Sequence, residues 1–462
     1  MNAIVGMKTM LDTSPFATIA ATRRQLAARK VSPSELLSHF LARIEQRDGD
    51  IKAWRYLDKE GARQRALELD QQMGAIACKP ALFGIPYGAK DIFHTRGLPT
   101  EGGSKVLEGN ISSENASVID KLDGMGALLL GKLTTTEFAN LGTPPKTGNA
   151  WNPAHTPGGS SSGSAAAVGA RMALMALGTQ TAGSLSRPAA FNGVTVLKAT
   201  YGRISKAGVI PASWSLDHVG AFTTTVEDAA LVFNALSGPD PRDDTTLSLP
   251  YTPLQLREKH DYTVGIVEHP YYAGGDAEIG AACLQAMDTL AGRGVKLKRI
   301  TLPDCFDDAC RAHHIVMQAE CAAYHRDTFL QTPTLFGTYL QEFLQQGLAI
   351  SAQAYLQAQQ VRARYRHALA ALFDDVDMLM TPATPTLAPH GLAATGSPAY
   401  NMPFTNAGVP TLALPVGISA TGLPIGMQWV ARHGNEQVLV DLGMLYQQIT
   451  DWHACLPPRC QA

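Results

Sequence analysis

The chain has 462 residues, 45% of them hydrophobic and 17% charged, with a formal net charge of −2. This is enough apolar material for a large core, and the near-neutral balance with no basic run excludes a phosphate-binding stripe, so nucleic acid is not an expected partner. Charged residues interrupt every apolar run short of a membrane span, and the start MNAIVGMKTMLDTS carries no signal-peptide apolar region, so no membrane partner and a cytoplasmic location are expected.

In chain order, Ile19 to Lys30 reads as a helix. Ser32-Pro33-Ser34-Glu35 is a capping box with proline at the first helical position, and Leu36, Leu37, Phe40, Leu41 and Ile44 then make one apolar face. A helix is expected from about Asp58 to Met73. Ala81 to Pro86 reads as a short strand running into Tyr87-Gly88-Ala89-Lys90-Asp91, which places Lys90 in or beside an apolar strand. Val118 to Leu122 is predicted helical, Ala127 to Gly131 a buried strand, and Thr134-Thr135-Thr136-Glu137 a second capping box opening a helix.

From Thr156 to Gly202 two Gly/Ser clusters flank an apolar run. They are Gly158-Gly159-Ser160-Ser161-Ser162-Gly163-Ser164 and Thr181-Ala182-Gly183-Ser184. Ala165 to Leu177 is too apolar for a linker and predicts a buried helix followed by a strand. Val194 to Lys198 reads as a strand and Thr225 to Ser237 as a capped helix, before a Pro- and Asp-rich surface connection from Gly238 to Thr252. Strands are expected at Tyr262 to Val267, Val295 to Ile300, Met378 to Met380, Thr411 to Val416 and Ile425 to Val430, with helices near 305–330 and 351–373. Strand alternating with helix predicts an α/β sandwich with a parallel or mixed sheet.

Several chemistries compete for these residues. Cys305 and Cys310 before His313 and His314 invite a metal reading, but residues five apart do not share a helix face, so no metal is expected. Gly158 to Gly163 has the outline of a phosphate loop, yet Ser164-Ala165 stands where Lys-Ser/Thr should be. Gly159-Ser160-Ser161-Ser162-Gly163 fits G-x-S-x-G, but a nucleophile elbow must follow a buried strand and the residues from Gly148 to His155 are loop-like. His218 beside Asp217 suggests a Ser/His/Asp triad, although adjacent residues rarely aim at one point.

A further reading joins Lys90, Ser160 and Ser184. The segments around them resemble the amidase signature family, the serine amidohydrolases with a Ser–cis-Ser–Lys triad. The resemblance rests on Gly84-Ile85-Pro86 with Lys90-Asp91, Gly131-Lys132 with Glu137-Phe138, both Gly/Ser clusters, and Arg187-Pro188-Ala189-Ala190. It continues through Tyr201-Gly202-Arg203, Ser215-Leu216-Asp217, Gly408-Val409-Pro410 and Gly422-Leu423-Pro424-Ile425-Gly426. It implies an α/β amidase signature fold with a central mixed sheet sandwiched by helices. It also implies one domain over 1–462, with a family-like core at about 30–237 and 378–450 and a variable, substrate-shaping region at about 238–377. Ser184 is then the nucleophile, Ser160 the relay serine after a cis peptide bond, Lys90 the base, and the N–H groups of Thr181, Ala182, Gly183 and Ser184 the oxyanion hole. Such a lysine works only when neutral, so burial must depress its pKa.

The chain departs from the family pattern in two places. Gln180-Thr181-Ala182-Gly183-Ser184 stands where Asp-Thr-Gly-Gly-Ser is commonest, and its alanine looks like the allophanate- and biuret-hydrolase branches. Arg187, three residues after the nucleophile, resembles the malonamide- and biuret-hydrolysing members and is a candidate substrate-binding residue. Its bland reading is a structural contact. The amidotransferase subunits carry their arginine two residues after the serine, where this chain has Ser186. The expectation is a cofactor-free amidohydrolase acting on a small amide, urea-like or carbamate substrate, with a homodimer compatible. The alternatives are an aryl carbamate, ester or aryl-amide hydrolase and a non-catalytic member of an amidotransferase-type complex. Tyr87, Phe336, Tyr339, Met402 and Phe404 stand between lining an apolar pocket and filling the core.

Overall fold

The computed structural model describes residues 10–73, 79–140, 142–248 and 252–461. Its strands are β1 (Trp54–Leu57), β2 (Pro86–Lys90), β3 (Leu128–Leu133), β4 (Met175–Gln180), β5 (Thr195–Lys198), β6 (His218–Thr223), β7 (Thr263–Val267), β8 (Lys296–Ile300), β9 (Met378–Pro382), β10 (Thr411–Ile418) and β11 (Pro424–Ala431). They form one sheet in the order β1-β3-β2-β4-β6-β5-β10-β11-β9-β7-β8. The β3-β2-β4 neighbours run parallel, the middle of the sheet is antiparallel, and β9-β7-β8 are parallel again. Helices pack against this sheet, so the molecule is an α/β fold with a large mixed sheet.

Local sequence rules set many element ends. Ser32 Oγ accepts from the Glu35 N–H and the Glu35 carboxylate accepts from the Ser32 N–H, which starts the helix Pro33–Ile51 as its capping box requires. Thr225 caps Val226–Leu236 through the Asp228 N–H. The helix Ser162–Gly169 and β4 occupy the apolar run between the Gly/Ser clusters, and every residue from 156 to 200 is buried.

Some expectations are corrected. The strand expected from Ala81 begins only at Pro86. Ala81 to Gly84 turn instead, with the Phe83 N–H on the Pro80 carbonyl and Gly84 at φ 71°. No helix opens at Thr134: a single 3-10 turn, Glu137–Ala139, forms there, with Phe138 at φ 47° and Ala139 at φ 59°. Left-handed backbone cannot propagate a right-handed helix. Glu137 turns its carboxylate to the Ser104 hydroxyl and the Gly337 N–H rather than to a cap. The strands β1 and β6 and the helices Thr338–Leu348, Met402–Ala407 and Glu436–Ile449 are additions to the expected elements. Part of the Gly238 to Thr252 connection, residues 249–251, lies outside the described residues.

Candidate active site

Strands β2 and β4 are parallel neighbours, so their carboxyl ends open at the same sheet edge, the usual place for a site in an α/β fold. Lys90 is the last residue of β2, with β3 on one side and β4 on the other, and is 0% exposed. Its Nζ lies 2.8 Å from Ser160 Oγ and 2.8 Å from Thr179 Oγ1. Burial lowers the Lys90 pKa to about 7, while the Asp217 charge acts the other way. A lysine held there is available as the free amine near neutrality.

Ser160 comes from the loop ahead of Ser162–Gly169, and the Gly159–Ser160 peptide bond is cis. Its neighbours are otherwise engaged. Ser161 Oγ donates to the Thr179 carbonyl, Ser162 Oγ to the Gly158 carbonyl and Ser164 Oγ to the Leu177 carbonyl. Of these four serines, Ser160 is the one bonded to Lys90. No strand leads into this loop, so the nucleophile-elbow geometry is not present.

Ser184 lies in the loop between β4 and the helix Ser186–Asn192, just past the end of the strand that carries Thr179. Ser160, Thr181, Ala182, Ser184, Arg187 and Met317 line one small cavity of about 10 Å³, room for a water molecule. No hydrogen bond links Ser160 Oγ to Ser184 Oγ within 3.5 Å; catalytic bonds in substrate-free sites are often long. The loop itself is tightly braced. Gln180 Oε1 accepts from the Leu185 and Ser186 N–H groups, Gln180 Nε2 donates to Thr405 Oγ1, and Thr405 Oγ1 donates to the Ala182 carbonyl. Among the described residues, none accepts a bond from the N–H of Ala182, Gly183 or Ser184. A side chain at Gly183 would come within 2.7 Å of Asn401 Oδ1, which explains the glycine.

Arg187 reaches the same cavity but is already employed. Its Nη1 donates to the Gly396 carbonyl at 2.6 Å and its Nη2 to the Gly159 carbonyl. Nε is the nitrogen left without a protein partner, and burial lowers the guanidinium pKa to about 9. The substrate-binding expectation for Arg187 is thereby narrowed to that edge of the group, and the structural contact is the role its geometry displays.

His218 makes no Ser/His/Asp triad. Its Nδ1 lies 2.6 Å from the Leu216 carbonyl, its ring packs on Tyr201, and burial holds its pKa well below the usual value. Cys305, Cys310, His313 and His314 do not converge, and no group of three or more metal-ligating side chains is found among the described residues. Of the five apolar residues considered for a pocket wall, none lines the cavity at Ser184. Tyr87 and Phe404 are core, Met402 is buried, Tyr339 is exposed, and Phe336 borders a separate cavity of about 670 Å³ with Arg55, Lys105 and Glu137. That larger cavity contains none of Lys90, Ser160 and Ser184. Sequence reasoning missed Thr179 and Met317. Thr179 was within reach, because it lies two residues before Thr181 and so shares its face of the strand.

The Amidase family model matches residues 35–440. A glutamyl-tRNA(Gln) amidotransferase subunit from Chloroflexus aggregans is 35% identical, with 97% of this chain and 99% of the relative aligned. The protein of the same name from Trichlorobacter lovleyi is also 35% identical, over 94% of this chain and 98% of the relative. Among solved structures, a chain from a vestigial protein complex bearing on the evolutionary origins of an s-triazine catabolic enzyme is 28% identical. It superposes with a TM-score of 0.88 over 95% of this chain and 99% of that one. The peptide amidase PAM, solved with the competitive inhibitor chymostatin, is 28% identical with a TM-score of 0.84 over 96% of this chain and 100% of that one.

Proposed function

Because this chain belongs to the amidase family, we propose that it is a serine amidohydrolase, cleaving a C–N bond of a small amide, urea-like or carbamate substrate through an acyl-Ser184 intermediate. One observation carries the reading. A water-excluded lysine with its pKa brought near neutrality touches Ser160, and Ser160 shares a cavity with Ser184. A serine hydroxyl is a poor nucleophile until a base takes its proton. Neutral Lys90 takes the Ser160 proton as Ser160 takes that of Ser184, and Ser184 Oγ bonds to the substrate carbonyl carbon. The carbonyl electron pair moves onto oxygen, where the N–H groups of Thr181, Ala182, Gly183 and Ser184 meet it. As the C–N bond breaks, the proton returns from Lys90 through Ser160 to the leaving nitrogen. Water then repeats the cycle on the acyl-enzyme.

The biuret-like, urea-type class is our preferred substrate, on the strength of Ala182. Aryl carbamates, esters and anilides would use the same machinery. A screen of biuret, malonamate, aliphatic amides, anilides and aryl carbamates with the purified chain, read as ammonia or amine release, tests the proposal. Turnover of at least one class supports it, and silence on all of them with Ser184 unreactive overturns it.

A second reading is favoured by the names of the curated relatives: a member of an amidotransferase-type complex, idle on its own. Ser186 in place of an arginine two residues after Ser184 speaks for the first reading. Activity of the chain alone, without added partners, separates the two.

A further inference from the structure

Asp217 belongs to neither the Lys90–Ser160–Ser184 set nor the oxyanion loop, yet it touches the loop and its charge bears on the base. The register of β4 against β6 pairs Thr179 with Val219 and Gln180 with His218, so the next residues, Thr181 and Asp217, meet at the strand ends. Thr179 and Thr181 share one face of the chain. Thr179 Oγ1 accepts from Lys90, and Thr181 Oγ1 donates to Asp217 Oδ1 at 2.6 Å. Asp217 Oδ2 accepts from the Ala212 and Ser213 N–H groups at 2.9 and 3.1 Å. Burial raises the Asp217 pKa, while three donors with no acceptor among them favour the anion. It is 8% exposed, and Thr179 and Asp217 border one further cavity of about 270 Å³.

We propose that Asp217 is a positioning residue of the proposed reaction, which fixes the oxyanion loop through Thr181 and holds its anionic charge where the protonated Lys90 must be stabilised. The proposal rests on the amidohydrolase reading given above. Lys90 becomes an ammonium in the transition state, in a pocket where Ser160 and Thr179 offer only hydroxyls. A fixed carboxylate at that end supplies the opposite charge without touching substrate.

Other groups face Asp217. Lys206 acts on it from the loop after β5, its own Nζ lying 2.7 Å from Tyr201 Oη. Cys321 acts from the helix Phe306–Gln331, its thiol pushed up to about 12 by burial and so uncharged across the working range. Asp217 is the charged group that bears on Lys90. Its negative charge favours the ammonium form, so removing it makes Lys90 neutral at lower pH.

The test measures kcat and KM across pH, and sulfonyl-fluoride labelling of Ser184, for the wild type, Asp217→Asn, Thr181→Val and Thr181→Ser, with folding checked by thermal melting. Asp217→Asn should fold, lose kcat by about tenfold or more, and move the acid limb of kcat/KM down by about one pH unit. Folded Asp217→Asn with the acid limb unmoved would overturn the proposal, since a purely structural aspartate leaves that limb where it was. If Asp217→Asn does not fold, the threonine decides. Thr181→Val keeps the charge, so kcat should drop about tenfold at nearly constant KM with the limb in place, and Thr181→Ser should restore it. Thr181→Val with full kcat would overturn the proposal. A wild type that is never labelled at Ser184 overturns the amidohydrolase reading itself, and this inference with it.

Discussion

Lys90 and Lys132 sit on adjacent parallel strands, β2 and β3, and both are 0% exposed, yet they are set in opposite surroundings. Lys132 Nζ donates to the Phe93 and Pro99 carbonyls and to Thr100 Oγ1, and lies 3.2 Å from the buried Asp91 carboxylate. The carbonyls and the carboxylate only accept, and the Thr100 hydroxyl already donates to the Phe93 carbonyl, so this nest suits an ammonium. Lys90 has two hydroxyls, which can turn round and donate to a free amine. Burial lowers Lys132 to about 8 and Lys90 to about 7. Lys198 on β5 also falls to about 7, but it donates to the Val409 carbonyl and meets none of the serines. A depressed pKa therefore does not by itself mark a base; the reversible character of its partners does.

The sharpest break of this comparison is to exchange the two losses. Lys90→Met should leave a folded protein with turnover down by at least about 10³-fold, because in the proposed mechanism no base remains to activate Ser184. Lys132→Met should do the reverse: it strands the Asp91 charge in the interior and costs about 3–5 kcal/mol in a chemical-denaturation experiment, while the fraction that stays folded turns over normally. If Lys132→Met were stable and inactive, the roles assigned to the two lysines would be wrong.

Proton linkage sharpens the same contrast. The base must be neutral, so kcat/KM should rise with pH through about 7 and fall away below it. For stability the sign is the same. The folded pKa of Lys90 lies below its ordinary 10.5, so between about 7 and 10.5 the unfolded chain binds more protons and stability rises with pH. This contribution is complete above 10.5 and is lost as pH falls through about 7. Lys90→Met should flatten that slope in pH-dependent melting, and an unchanged slope would show that Lys90 is charged in the folded protein.

Smaller effects come from the residues that hold the serines. Arg187→Met frees the Gly159 and Gly396 carbonyls and should lower kcat/KM by roughly 10- to 100-fold on polar and apolar substrates alike, because the peptide beside Ser160 loses its tie. A shift of ~30-fold or more in the polar-to-apolar preference would instead make Arg187 a reader of substrate, being the ratio expected from ~2 kcal/mol. Thr179→Val removes one of the two hydroxyls on Lys90 and should cost only a few-fold in kcat, measured beside a melting curve that stays within a few degrees.

The α/β class with its large mixed sheet was legible in the sequence, and so were the residues of the proposed site; several elements around them were not. Singly, a lysine in an apolar strand and serines in Gly-rich loops are ordinary; Lys90, Ser160 and Ser184 were joined by their order along the chain and by the resemblance of the segments around them to one family. The strand β6 was missed because His218-Val219-Gly220-Ala221-Phe222-Thr223 is buried throughout and shows no alternation, and β1 because a four-residue edge strand carries little signal. The false helix at Thr134 had a sound cap pattern; what defeated it was tertiary, the Phe138 N–H bonding to the distant Gly102 carbonyl. The partners of Arg187 were equally out of reach, since Gly396 lies 209 residues away.

The most direct test of the central claim is to map the covalent adduct of a sulfonyl fluoride by mass spectrometry, as a function of pH, in the wild type and Lys90→Met. One adduct is predicted, on Ser184, formed at a rate that rises through a pKa of about 7, and absent from Lys90→Met. An adduct on Ser161 or Ser162, or one on Ser184 that forms as fast without Lys90, would contradict it.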